Sequence, residues 1–293
     1  MIKSIFFSLI MVCWCGVSYA QVDLKVLGSL PPVLKETSGL AITKNGNLWT
    51  IVDGKYPVLY NLSLTGEVKK VIYLNHKNQD WEELTTDDTG NFYIGSFGNN
   101  KNDRRDLKIF KLPPPDSITE NFLSCGVIRF HYADQKSFPP PPQNMNYDME
   151  AMIHFNNHLY LFSKNRTRPF TGYTKMYRLP DAPGDYVAEL ADSVYLGHGT
   201  MLDTWVTGAA LSPDKKTLLL LSHDKVWLFT CFTSDRFLKG KMTTLQLNNF
   251  SQKEGICFKT NTELYVTDEL THNILGGNLY MLTLPKNFGE VCK

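Results

Sequence analysis

Short hydrophobic runs recur along the chain at intervals that polar turns interrupt. Five segments open alike, beginning at Ser38, Glu82, Glu150, Thr207 and Glu254, and their starts lie 44, 68, 57 and 47 residues apart. Each is followed by a turn such as Lys44-Asn-Gly or Asp88-Thr-Gly and then by a second apolar run, such as Leu48–Val52 or Leu159–Phe162. These runs are rich in aromatic, β-branched and leucine side chains and are bounded by turn formers, which predicts strands rather than helices. A third run with period-two mixing of polar and large apolar residues follows in every repeat, as in Leu107–Leu112.

Fourth strands are expected at residues 67–74, 126–132, 187–196 and 242–247, but the fifth repeat runs out after Pro285. One unassigned strand, residues 22–28, stands at the other end of the chain. Four-stranded units closed by a strand from the opposite terminus describe a β-propeller, which leaves only short, protected sheet edges. The expectation is therefore an all-β, five-bladed β-propeller closed by an N-terminal strand. Six blades are the alternative, although Pro113–Asp116 and Phe138–Pro142 in the long second repeat read as loop.

Residues 1–20 stand outside this pattern. Lys3, an apolar run from Ile5 to Val17 and the small-x-small end Ser18–Ala20 read as a secretory signal peptide. The expected product is secreted or periplasmic, a single propeller domain over residues 21–293 with no transmembrane segment. Four cysteines remain beyond the leader, Cys125, Cys231, Cys257 and Cys292, and they permit three full pairings, one disulfide, or buried free thiols. Lys+Arg total 30 against 29 for Asp+Glu, a net charge of +1, so no basic field marks a nucleic-acid partner.

In a propeller the first strand of each blade lines the central channel, so the opening positions face one another. Glu82, Glu150 and Glu254 would converge there, and carboxylates so close must hold protons or share a cation. Hard oxygen donors without His or Cys at that level suit calcium. Asp148 could add a carboxylate, and Glu36 and Glu83 are near misses in the alignment. The ends of the second strands supply a hydrogen-bonding rim of Asp53, Asn99, Asn100, Lys164, Arg166, His223, Asp268 and Glu269, suited to a small molecule, glycan or protein. Lys164 and Arg166 would either bind an anion or neutralise Asp268 and Glu269. His223 beside Asp224 suggests a general base, but no serine nucleophile accompanies it.

Residues 36–40, 91–100, 146–150, 161–166, 252–256 and 267–269 together resemble a family of secreted propellers, common in Bacteroidetes, of unsettled activity. More distantly the opening motifs are similar to those of calcium-containing propellers with phytase-like and esterase-like members. That resemblance implies ion binding by channel glutamates and carries over to Glu82, Glu150 and Glu254, whereas Ser38 and Thr207 depart from an acidic ring. The leading expectation is a calcium-stabilised propeller binding a ligand at the channel mouth. The alternative is a metal-assisted hydrolase of phosphate or carboxylic esters.

Overall fold

The computed structural model describes residues 20–285 and Cys292. The expected signal peptide lies outside the described residues except for Ala20. Two strands come first, β1 (Ala20–Val22) and β2 (Leu24–Ser29). A meander follows, β3 (Thr37–Ile42), β4 (Leu48–Val52), β5 (Val58–Leu62) and β6 (Val68–Leu74). The second unit contains β7 (Trp81–Thr86), β8 (Phe92–Ser96), β9 (Lys108–Leu112), a two-residue β10 (Phe122–Leu123) and β11 (Gly126–Tyr132). The third is β12 (Met149–Phe155), β13 (His158–Ser163), β14 (Tyr173–Pro180) and β15 (Gly184–Tyr195). The fourth is β16 (Gly208–Leu211), β17 (Leu218–Leu221), β18 (Lys225–Thr230) and β19 (Lys241–Leu247). The last is β20 (Lys253–Phe258), β21 (Glu263–Asp268) and β22 (Asn278–Thr283).

The architecture is all-β and propeller-like. Within each unit consecutive strands pair antiparallel, except that β10 leaves the second unit and β9 there pairs with β11, and β2 pairs antiparallel with β22. Three further pairings are parallel: β1 with β19, β10 with β6, and the first part of β15 with β11. The last of these fuses the second and third units into one eight-stranded sheet. Both proline-rich segments are loops with short 3-10 turns, Pro115–Ser117 and Pro142–Asn144.

The alternating pattern of the strands sends one set of side chains towards each neighbouring unit. Apolar clusters consequently form between units rather than within one central core. Trp49, Trp81 and Phe110 pack between the first and second units, Tyr132, Met152 and Tyr177 between the second and third, and Phe162, Trp227 and Phe237 between the third and fourth. Leu221, Val226, Val266 and Leu282 join the fourth to the last, and Leu40, Leu48, Tyr265 and Leu279 join the last to the first. Trp81, which stands beside the channel position in sequence, is therefore wholly in the core. The first strands β3, β7, β12, β16 and β20 pack side by side in that same cyclic order.

Of the cysteines, Cys231 and Cys292 form a disulfide, with Cα atoms 5.2 Å apart. Cys125 and Cys257 are free. Among the described residues no helix is long and apolar enough to cross a membrane.

Candidate metal and ligand site at the channel mouth

The aligned opening residues share a backbone device. In β7 the pairing with β8 jumps from Trp81 to Glu83, in β12 it jumps from Met149 to Ala151, and in β20 from Lys253 to Gly255. Glu82, Glu150 and Glu254 are each the extra residue of a β-bulge, released from the ladder so that the side chain is re-aimed. A comparable irregularity in β3 lies between Thr37 and Leu40 and frees Ser38. The two positions that lack a carboxylate are seam closers instead. Ser38 donates from its hydroxyl to the Glu82 carbonyl at 2.5 Å, and Thr207 donates to the Lys253 carbonyl at 2.5 Å.

A second repeated bond brings the loops after four of the five second strands to this end. The amides of Asp53, Gly98, Lys164 and Glu269 donate to the carbonyls of Glu36, Asp80, Asp148 and Gln252, each two residues before an opening residue. These bonds bring Asp53, Lys164 and Glu269 to one end of the first strands, and the residues read from the sequence as a rim do different work there. Lys164 is buried with its ammonium 3.1 Å from Glu150, and Arg166 pairs with Asp148 and lies 3.7 Å from Glu150. The two cations pair directly with Asp148 and Glu150, and among the described residues neither forms an ion pair with Asp268 or Glu269, although the charge of Lys164 still acts on Glu269. Arg166 also donates to Asn100, which is exposed.

Asn99 is buried and fully engaged: its amide N–H donates to Asp148 at 2.6 Å, and its side-chain oxygen accepts from the amides of Asp103 and Arg104. Asp268 is buried within its own sheet, accepting from the Asn278 amide and the Tyr280 hydroxyl. His223 is buried and stands edge-on to Trp205 and Phe250, and its Nε2 has no hydrogen-bond partner. Burial, reinforced by Lys164 and Lys253, pushes its pKa down to about 4. Asp224 pairs with Lys225 and Gln246, so the expected His–Asp couple is not formed.

The carboxylates gather on the other side of the mouth. Asp53, Asp80 and Glu82 each offer an oxygen within 4.8 Å of the others. Burial, followed by the charge of Asp80, raises Asp53 to about 7. Burial, then Glu150, Asp53 and Asp80, pushes Glu82 well up. Burial likewise raises Glu150 to about 8 against the opposing pull of Lys164, and raises Glu269 to about 9 with help from Glu254. Glu254 is buried, and its Oε2 has no hydrogen-bond partner.

Asp80 and Gly98 were not singled out from the sequence. Asp80 stands two residues before Glu82 as Asp148 stands before Glu150, so the repeat itself carried that signal. Gly98 admits the cluster because a Cβ there would lie 2.2 Å from Glu82 Oε1 and 2.6 Å from Asp80 Oδ2. A second group able to hold an ion, Asp87, His154 and Asp181, lies at the far end of the inner strands. It is already knit by hydrogen bonds, His154 to Asp181 at 2.9 Å and Tyr93 to both aspartates.

Below the mouth Glu83 crosses the channel. The residue after the bulge is Gly39, Ala151, Gly208 and Gly255 in the other first strands. Glu83 alone carries a long side chain there. It is fully buried, with one carboxylate oxygen accepting from the Leu84 amide at 2.8 Å and the other from the Ala209 amide at 3.0 Å. Desolvation raises its pKa despite those donors.

These features place the molecule in a structural class, the β-propellers. The PQQ-bound aldose sugar dehydrogenase of Streptomyces coelicolor superposes on 90% of this chain and 98% of its own, with a TM-score of 0.50 and 10% identity. A gluconolactonase from Xanthomonas campestris covers 85% of this chain and 72% of its own, with a TM-score of 0.46 and 13% identity. Virginiamycin B lyase from Staphylococcus aureus covers 87% and 69%, with a TM-score of 0.42 and 12% identity. At these identities the likeness concerns the fold alone. No protein-family model and no curated protein matches the chain.

Proposed function

We propose that the channel mouth binds a divalent cation and acts as a metal-assisted hydrolase of phosphate or carboxylic esters. The observation that carries this reading is the convergence of Asp53, Asp80 and Glu82, whose carboxylate oxygens lie within 4.8 Å of one another. Three carboxylates so close, removed in part from water, require a proton or a cation among them. The donors are all hard oxygens, which suits calcium, and the unpartnered oxygen of buried Glu254 adds to the demand for positive charge.

A bound cation would polarise the carbonyl or phosphoryl oxygen of an ester. The chain's own residues do the rest. Arg166 is the partly exposed cation of the mouth and lies 4.8 Å over the Trp205 ring, so the pair offers charge and a flat apolar face to a substrate anion. Lys164, held by Glu150, keeps the neighbouring acids from repelling that anion. The same reading takes the five cyclically packed first strands as five blades, β2 as the strand that closes the last one, and the chain as an exported protein of the calcium-propeller kind. The Cys231–Cys292 disulfide supports an oxidising compartment.

A non-catalytic, calcium-stabilised binding propeller is the second reading, favoured by the extent to which Asp148 and Glu150 are already neutralised by Arg166 and Lys164. Calcium titration calorimetry on the wild type and Glu82→Gln, run beside a panel of phosphomonoesters, lactones and aryl esters, separates the two. Stoichiometric calcium and turnover, both lost in Glu82→Gln, are expected. Calcium without turnover would leave the binding reading, and no calcium in either protein would overturn both.

A further inference from the structure

We propose that the opposite end of the channel is a second ligand site, built for a small amphiphile with an apolar body and an anionic head. A cavity of about 620 Å³ opens there between β3, β7, β16 and β20, within the range of small-molecule pockets. Its walls include Ala41, Leu84, Ala209, Ala210, Ile256 and Phe258. The alanines leave room where bulkier residues would fill the channel. Leu84 and Ala209, whose amides hold the Glu83 carboxylate, line this cavity too, so Glu83 stands between it and the polar mouth.

The apolar walls end in a charged rim. Lys44, Lys215 and Lys259 enter it from the ends of β3, β16 and β20. The acids on that rim are Asp87 and Asp88. Against the raising effect of partial burial, bonds from the Thr89 hydroxyl, the Asn91 side chain and amide and the Tyr93 hydroxyl hold the Asp87 pKa down at about 2, so it stays ionised, and Asp88 pairs with Lys215. Lys259 is bound to Glu263 at 3.1 Å on an open surface, where such a pair is weak. Lys44 is exposed and has no carboxylate partner among the described residues. The three lysines of the rim outnumber Asp87 and Asp88 by one positive charge, and an aliphatic or aromatic carboxylate or sulfonate complements both parts of the site.

The test is a fluorescence titration of the full chain with 8-anilinonaphthalene-1-sulfonate, followed by competition with decanoate and with decyltrimethylammonium. Saturable binding of one probe per chain is expected, with decanoate displacing it at a concentration at least tenfold below the cationic amphiphile. The double variant Lys44→Glu, Lys259→Glu should weaken the probe at least tenfold with its Tm unchanged, and Ser212→Trp at the rim should abolish binding. Non-saturable binding, equal displacement by the cation, or an unaffected double variant would overturn the proposal. Displacement of the probe by calcium would place it at the mouth and overturn it as well.

Discussion

One methyl group at residue 98 would drive Asp80 and Glu82 apart, since it would occupy the space of their carboxylate oxygens. Gly98→Ala is therefore expected to weaken calcium at least tenfold while leaving the far cavity intact, read by calorimetry. His223 makes a separate prediction about pH. Its folded pKa, about 4, lies below the ordinary value of 6.5, so the unfolded chain binds the extra proton and stability is lost as pH falls from about 6.5 towards 4. The full effect is up to roughly 3 kcal/mol, and chemical denaturation across that window should show it shrink in His223→Gln. At this scale the sequence revealed which residue types converge, but not their partners. Lys164 and Arg166 were legible as mouth cations. That they choose Asp148 and Glu150 depends on which loops share a blade edge, and residue spacing does not encode that choice.

The bulge is the unit of design among the elements. The likeness of the five opening segments was visible because the same short phrase recurs, whereas the bulge was not, because register belongs to the pair of strands and not to either one. Glu83 shows the same limit. It reads as a misaligned copy of Glu82, yet it occupies the position that is glycine or alanine elsewhere and ties β7 to β16. Glu83→Gln places an amide donor against a backbone N–H, so a loss of roughly 1–3 kcal/mol is expected from an unmet buried group, measurable as a lower urea midpoint. Gly255→Ala tests the seam beside it. The new Cβ would lie 2.7 Å from the Ser38 carbonyl oxygen, and a comparable or larger loss is expected.

For the whole molecule, the count of strand runs anticipated the meanders, whereas the N-terminal segment, read as one strand over residues 22–28, is split into β1, which pairs with β19, and β2, which pairs with β22. The parallel additions were not legible, since β1 and β10 are three and two residues long and carry no periodicity. The disulfide joins residues 61 apart, and a chain-entropy account gives it about 4 kcal/mol. Reduction should therefore lower Tm by several degrees, and Cys231→Ser should reproduce the shift without reductant.

The parallel additions also govern how copies of this protein meet one another. A bare sheet edge is a template for cross-chain strand pairing. Here β10 covers the end of β6 at Tyr73 and Leu74, β1 covers Leu245–Leu247 of β19, and β11 covers the first part of β15, residues 184–188. Among the described residues the one full-length strand left on the outside is β2, whose Lys25 is exposed. Growth into fibrils, or a partner that docks by adding a strand, would find its open template at Leu24–Ser29 and at the uncovered parts of β6, β15 and β19.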